Sequence, residues 1–238
     1  MNSLTKKFIG LAVGGTGALA YLGLKKPWKK VAAPESRTRV NQESEKASKF
    51  GNAQGFSLTQ AKFVRESLVA YKDFPKPGIT FQDVFSGIFL KPDALKTLMQ
   101  LMREKAVSLE GEVDCVVGLD SRGFLMGPTM AEAIGVPFVP IRKKGKLPGD
   151  CCGTSYELEY GSAEIEIQTI GFKENGLRKA LIVDDLLATG GTMEAAVKLI
   201  RDCGATPVEC FVIIELTGLE GRSRIESNET RVSAIVEI

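Results

Sequence analysis

At 238 residues, with 44% hydrophobic and 25% charged side chains, the chain suits one globular domain with a core of ordinary size. It contains no histidine, which excludes Ser/His/Asp and Cys/His nucleophile systems and any zinc site that needs imidazole, and leaves chemistry to Asp, Glu, Lys, Arg, Ser, Thr and Tyr. A formal charge of +2 gives no argument for nucleic acid as a partner, and five cysteines without CxxC spacing indicate a reducing compartment in place of a disulfide framework or zinc site.

The chain opens on an uncharged run at residues 8–24, FIGLAVGGTGALAYLGL, preceded by Lys6 and Lys7 and followed by Lys25, Lys26, Lys29 and Lys30 around Trp28. As a helix this run would span about 25 Å, against a hydrocarbon core of roughly 30 Å, with lysines able to snorkel and Trp28 suited to an interface. Residues 1–30 are therefore expected to be a hydrophobic anchor or targeting segment, giving a cytoplasmic catalytic domain tethered to a membrane or an organelle-directed protein. Signal cleavage near Ala18-Leu19-Ala20 and an untethered tail stay open as alternatives. Residues 31–55 are polar without an apolar period and read as a linker, so the folded domain is expected over 56–238.

Within that domain Ser57 has N-cap chemistry for a helix through about Ala70, and Pro92 fits the first turn of a second helix through about Val107. Strand-length apolar runs then occur at 113–119 (VDCVVGL), 137–141 (PFVPI), 179–184 (KALIVD) and 208–216 (VECFVIIEL), separated by helical patterns at 124–135 and 190–204. Such alternation indicates βαβ units and a mainly parallel sheet. SYELEYG, at 155–161, alternates polar and apolar as an exposed strand or hairpin does.

Chemistry concentrates where apolar strands end, the edge at which parallel sheets bind ligands. ALIVDDLLATGGTM places Asp184 and Asp185 at such an end, before a turn whose Gly190 and Gly191 let the backbone fold tightly. Thr192 then opens a helix whose N–H groups can hold a phosphate, with the hydroxyls of Thr189 and Thr192 as further donors. Two carboxylates would repel that phosphate, but they suit the donating hydroxyls of a ribose, so the implied ligand is a ribose phosphate. The order of acids and glycines fits neither a Walker A loop nor a dinucleotide fingerprint, and a plain βα turn leaves both acids unexplained. GLDSRGF ends another strand in Asp120, Ser121 and Arg122, a group that suits either a pyrophosphate or a solvated turn. RKKGK adds Arg142, Lys143, Lys144 and Lys146, which would bind a diphosphate strongly or form a solvated charged loop.

VDDLLATGGT resembles the phosphoribosyl pyrophosphate signature of type I phosphoribosyltransferases, and its LLATGG centre is similar to the adenine phosphoribosyltransferase branch. FPKPGITFQD (74–83), GLDSRGF (118–124), IRKKGKLPG (141–149), SYELEYG (155–161) and IELTGLEGR (214–222) resemble stretches of the same branch, in order, so the likeness covers residues 57–238. It implies an α/β fold with a mainly parallel central sheet flanked by helices and a small base-recognition hood. The implied activity is transfer of ribose 5-phosphate from phosphoribosyl pyrophosphate to adenine, giving AMP and pyrophosphate in purine salvage. Asp184, Asp185, Ala188, Thr189, Gly190, Gly191 and Thr192 would hold the ribose phosphate. Asp120, Ser121, Arg122, Arg142, Lys143, Lys146 and Tyr160 would hold pyrophosphate, and Thr80, Phe81, Gln82 and Leu186 would hold adenine. Glu159, on a loop that closes over the reaction centre, is the implied acid or base, with Arg122 the second catalytic group. Mg²⁺ would be held mainly by substrate, without a protein ligand cage, and the protein would be a homodimer whose basic loop partly serves the neighbouring subunit. The chain departs from the family at Gln82, where Arg is usual. Two alternatives accompany this reading: a phosphoribosyltransferase for another purine base, and a non-catalytic regulator that binds phosphoribosyl pyrophosphate.

Overall fold

The structure is a computed structural model and describes residues 55–158 and 161–238. The anchor at 8–24 and nearly all of the linker lie outside the described residues, and no helix among those described is long and apolar enough to cross a membrane.

Helix α1 (Leu58–Ser67) leads into an antiparallel pair, β1 (Val69–Lys72) and β2 (Thr80–Asp83), followed by a π-helical turn (Phe85–Phe89) and α2 (Pro92–Ser108). Next come β3 (Cys115–Leu119), α3 (Gly123–Ile134), β4 (Phe138–Lys143), the hairpin of β5 (Cys151–Leu158) and β6 (Gly161–Gln168), and the single turn α4 (Ile170–Lys173). The chain closes with β7 (Lys179–Leu187), α5 (Gly191–Asp202), β8 (Thr206–Glu215), a 3₁₀ turn (Thr217–Leu219), α6 (Gly221–Glu226) and β9 (Arg231–Glu237). Seven strands form one sheet in the order β5-β6-β4-β3-β7-β8-β9. Strands β4, β3, β7, β8 and β9 run parallel, and the hairpin adds antiparallel at the β4 edge. The expected α/β class with a mainly parallel sheet is the observed one, and β1–β2 stands apart as the small hood.

Strand alternation explains why the central strands are continuously apolar. Val116, Leu181, Val183 and Phe211 face the core lined by α1, α2 and α3, while Cys115, Val117, Ile182 and Val212 face the core beneath α5. Both faces are covered, so all of β3 and residues Ala180 to Val183 of β7 are buried. The start of α3 lies so close to β7 that a Cβ on Gly123 would sit 2.5 Å from the Val183 carbonyl oxygen.

Three local expectations change. The first helix stops at Ser67, because Leu68 turns extended (φ −63°, ψ 154°) and Val69–Lys72 pairs with Thr80–Asp83. A Val-Ala-Tyr-Lys segment that gains a strand partner follows that partner over a marginal helical continuation. Ser57 occupies the N-cap position, but its side chain makes no capping hydrogen bond; its carbonyl accepts the Ala61 N–H at 2.9 Å. Strand β7 runs to Leu187, three residues beyond the expected end, because β8 continues to pair with it as far as Leu187↔Glu215.

That extension positions the site. On its other side β7 pairs with β3 only as far as Val183↔Gly118. The chain leaves β3 toward β4 in one direction and leaves β7 toward β8 in the other, so a crevice opens between the carboxyl ends of β3 and β7, at a topological switch point.

Candidate active site

Asp184 and Asp185 stand on the β7 rim of this crevice, still within the strand but past its last pairing with β3. The Asp185 N–H donates to Asp184 Oδ1 at 2.9 Å. Burial, and then the charge of adjacent Asp185, holds the Asp184 carboxyl well above the ordinary carboxylate range. Burial raises Asp185 as well, but Arg122 opposes it: its Nη1 donates to Asp185 Oδ2 at 3.1 Å.

Arg122 comes from the opposite rim, after β3, where the peptide between Asp120 and Ser121 is cis. Its guanidinium carbon lies 5.6 Å from the ring centroid of Phe81 and 5.6 Å from that of Phe85. One side chain thus joins the carboxylate pair, the β3 loop and the hood. Phe81 and Gln82 are half-buried on β2 and Thr80 is exposed. The hood's shape is held by Asp83, which accepts N–H bonds from Phe85 (3.1 Å) and Ser86 (3.0 Å) and the Ser86 hydroxyl (2.5 Å). Burial pulls the Asp83 carboxyl upward, yet these bonds and the Arg122 charge carry it below its usual value. Leu186 is half-buried on β7 and packs against the core shared with α3.

Beyond Leu187 the chain turns through Ala188, Thr189 and Gly190 into α5. Gly190 has φ 83°, the left-handed conformation that favours glycine. The helix therefore begins without a side-chain cap, which leaves the N–H groups of its first residues, Gly191 and Thr192, without a capping partner. The Thr192 hydroxyl lies 3.5 Å from the Tyr156 hydroxyl of β5.

This turn is seated on Gly221, which opens α6. A Cβ on Gly221 would lie 2.2 Å from the Ala188 carbonyl oxygen, and one on Gly190 would lie 2.9 Å from the Gly221 oxygen. Arg222 fixes Gly221 there through its ion pair with buried Glu215 and a 2.7 Å bond to the Val232 carbonyl. Arg224 reaches Glu194 in the first turn of α5 at 2.5 Å. No role was legible for Gly221 in the sequence beyond the likeness of IELTGLEGR, since the spacing of those residues carries no sign of what lies opposite.

The basic loop is ordered by acids. Arg142 Nε donates to Asp120 Oδ2 at 3.0 Å, which brings two of the expected pyrophosphate residues together, and its Nη1 donates to the Lys146 carbonyl at 3.3 Å. Lys144 pairs with Glu164 at 2.5 Å, while the side chains of Lys143 and Lys146 are exposed. Buried Glu166 accepts the N–H groups of Lys146 (2.8 Å) and Leu147 (2.9 Å). Hydrogen bonds from the loop backbone, that of Gly145 first, lower its carboxyl below the ordinary range. Sequence reading did not single out Glu166; its alternation with Ile165 and Ile167 marks a strand, not a loop anchor. The expected hairpin around SYELEYG is present, with Leu158 and Gly161 paired, and Glu159 and Tyr160 lie outside the described residues.

A carboxylate pair at a switch point, followed by a glycine turn and an uncapped helix start, is an arrangement suited to a sugar phosphate at the edge of a parallel sheet. Residues 88–238 match the phosphoribosyl transferase domain family. The adenine phosphoribosyltransferase of Mastomys natalensis is 45% identical over 170 residues, spanning 71% of this chain and 93% of that protein. Among solved structures, the Saccharomyces cerevisiae adenine phosphoribosyltransferase in complex with an imino-altritol bisphosphate and adenine has a TM-score of 0.65 at 40% identity, covering 75% of this chain and 99% of that one. The Giardia lamblia enzyme in complex with 9-deazaadenine has a TM-score of 0.64 at 33% identity, covering 75% of this chain and 97% of that one. The chain belongs to the adenine phosphoribosyltransferase family.

Proposed function

We infer that this chain transfers ribose 5-phosphate from phosphoribosyl pyrophosphate to adenine, yielding AMP and pyrophosphate in purine salvage. The observation that carries the reading is the crevice in which Arg122 joins the Asp184–Asp185 pair to Phe81 of the hood, with the Gly190 turn following the same strand β7.

Asp184 and Asp185 accept hydrogen bonds from the ribose hydroxyls, while the 5-phosphate sits on the N–H groups after Gly190, with Ala188, Thr189, Gly191 and Thr192 around it. The diphosphate lies across the β3 rim, against Asp120, Ser121, Arg122, Arg142, Lys143, Lys146 and Tyr160. One N–H of Arg122 is used by Asp185, and its remaining donors offset charge as the anomeric bond to the diphosphate breaks. Adenine lies between Phe81 and Leu186, with backbone groups of Thr80 and Gln82 at its edge, and Glu159 handles the proton of the attacking base. Hairpin closure excludes the water that would otherwise capture the developing glycosyl cation.

The crevice offers carboxylate and hydroxyl oxygens, donors whose chemistry fits Mg²⁺ carried on the substrate. Asp184 and Asp185 would hold it through the ribose hydroxyls. When bound it supplies neutralising charge to the leaving diphosphate. The same reading carries a homodimer that shares the basic loop, and a cytoplasmic catalytic domain tethered to a membrane, or directed to an organelle, by residues 8–24.

The full-length protein is assayed with phosphoribosyl pyrophosphate and each purine base in turn. AMP formed with adenine, and little product with hypoxanthine, guanine or xanthine, is the expected result. Preference for another base overturns the substrate assignment, and binding without turnover makes the protein a regulator.

A further inference from the structure

Strand alternation divides the adjacent cysteines of β5 between its two faces. Cys151 is in register with Gln168, and its Sγ lies 3.9 Å from the Leu147 carbonyl, on the side of the basic loop. Cys152 is in register with fully buried Ile167 and packs against the core beneath α5. Four residues along the same face, Tyr156 meets Thr192 in the first turn of α5. Cys203 stands at the other end of that helix, directly after Asp202. Strand β5 thus lies along α5 with Tyr156 at the helix start and Cys152 at its finish. A strand step of about 13 Å between the two residues is comparable with a helix span of about 16 Å.

Cys152 and Cys203 both pack against the core beneath α5 at this end of the helix, and both residues are only half-buried. The two fully buried cysteines, Cys115 and Cys210, are enclosed within β3 and β8. We propose that Cys152 and Cys203 are an oxidative modification site, forming a reversible disulfide with a hydroperoxide as oxidant and fastening the β5–β6 hairpin to the far end of α5. One thiolate attacks the peroxide; its O–O bond breaks, hydroxide leaves and takes up a proton, and a sulfenic acid forms. The second thiol attacks that sulfur, the S–S bond forms, and the displaced hydroxide carries away the thiol's proton as water. Two thiols are oxidised and one hydrogen peroxide is reduced to two waters. Burial, and then the Cys152 thiol, pushes Cys203 up to about 12, so Cys203 enters as the thiol that resolves a sulfenic acid formed at Cys152. A reversible bond also suits a chain whose cysteines otherwise carry no disulfide framework.

Full-length protein is treated with hydrogen peroxide, digested without reduction and mapped by mass spectrometry, with thermal unfolding measured in parallel. A peptide pair joining Cys152 to Cys203 within one chain is expected. The closed loop of about 50 residues should raise the unfolding midpoint by on the order of 5–10 °C, and dithiothreitol should reverse the change. Cys152→Ser and Cys203→Ser should each abolish both effects, whereas Cys151→Ser should leave them intact. A cross-link through Cys151, a bond between chains, or sulfinic acid at Cys152 with Cys203 still a thiol overturns the proposal.

Discussion

Gly221→Ala tests how the phosphate turn is held. The added methyl would sit 2.2 Å from the Ala188 carbonyl oxygen and 3.0 Å from the Gly190 nitrogen, both backbone atoms that cannot rotate aside. Relief requires the turn to move by about 1 Å, and a misplacement of that size in a binding element can cost about 10²-fold. Overpacking of this kind typically costs about 1–3 kcal/mol, which corresponds to roughly 5- to 150-fold if it falls on the bound state. The Michaelis constant for phosphoribosyl pyrophosphate, measured at saturating adenine, should therefore rise about 10- to 100-fold. The constant for adenine should change little, because the hood is built from β1 and β2, which form a separate two-stranded sheet. Gly218→Ala is the control: it lies in the preceding 3₁₀ turn, and a Cβ there meets nothing within 4 Å. A folded Gly221→Ala protein with an unchanged constant for phosphoribosyl pyrophosphate would refute the seating of the turn on Gly221. Equal losses for both substrates would show a general disturbance instead.

Asp184→Asn should weaken phosphoribosyl pyrophosphate while leaving the fold intact, and should change the dependence of stability on pH. The native Asp184 carboxyl keeps its proton above the unfolded value of about 3.9, so ionisation disfavours the native state and stability falls as pH rises through that window. The variant's unfolding midpoint should accordingly exceed the parent's at pH 8 by more than at pH 4, and a constant difference would contradict the raised carboxyl. Arg122→Lys should impair both substrates, since a lysine cannot serve Asp185 and lie flat over Phe81 and Phe85; an effect on one Michaelis constant alone would break the proposed link. Glu159→Gln should lower turnover by on the order of 10² to 10⁴ with much smaller changes in affinity, whereas a loss confined to affinity would make Glu159 a positioning residue. Deleting residues 1–30 should leave transfer to adenine unchanged and shift the protein from the membrane pellet to the supernatant; full-length protein already in the supernatant and uncleaved would refute the anchor.

What the sequence by itself determined is what local chemistry specifies. Leu181, Ile182 and Val183 announce a strand covered on both faces, Gly190 announces a tight turn, and two acids before that turn call for a hydroxyl-bearing ligand. Each signal is carried by neighbours in the chain, so it can be read without knowing what packs against it. Tertiary structure alone decided the rest, because it depended on which distant segments meet. Helix α1 ends at Ser67 only because β2 offers Val69–Lys72 a partner, and β7 reaches Leu187 only because β8 continues beside it. Arg122 finds Asp185 across 63 positions, and the pairing turns an arginine suited equally to solvent into the link between hood and carboxylates. Gly221 lies beneath Ala188, and Glu166 beneath the loop at Lys146, through close approaches of backbone or side chain that no spacing encodes. Cys151 and Cys152 are chemically identical neighbours in the sequence, and only the face that β5 turns toward α5 gives one of them a second thiol.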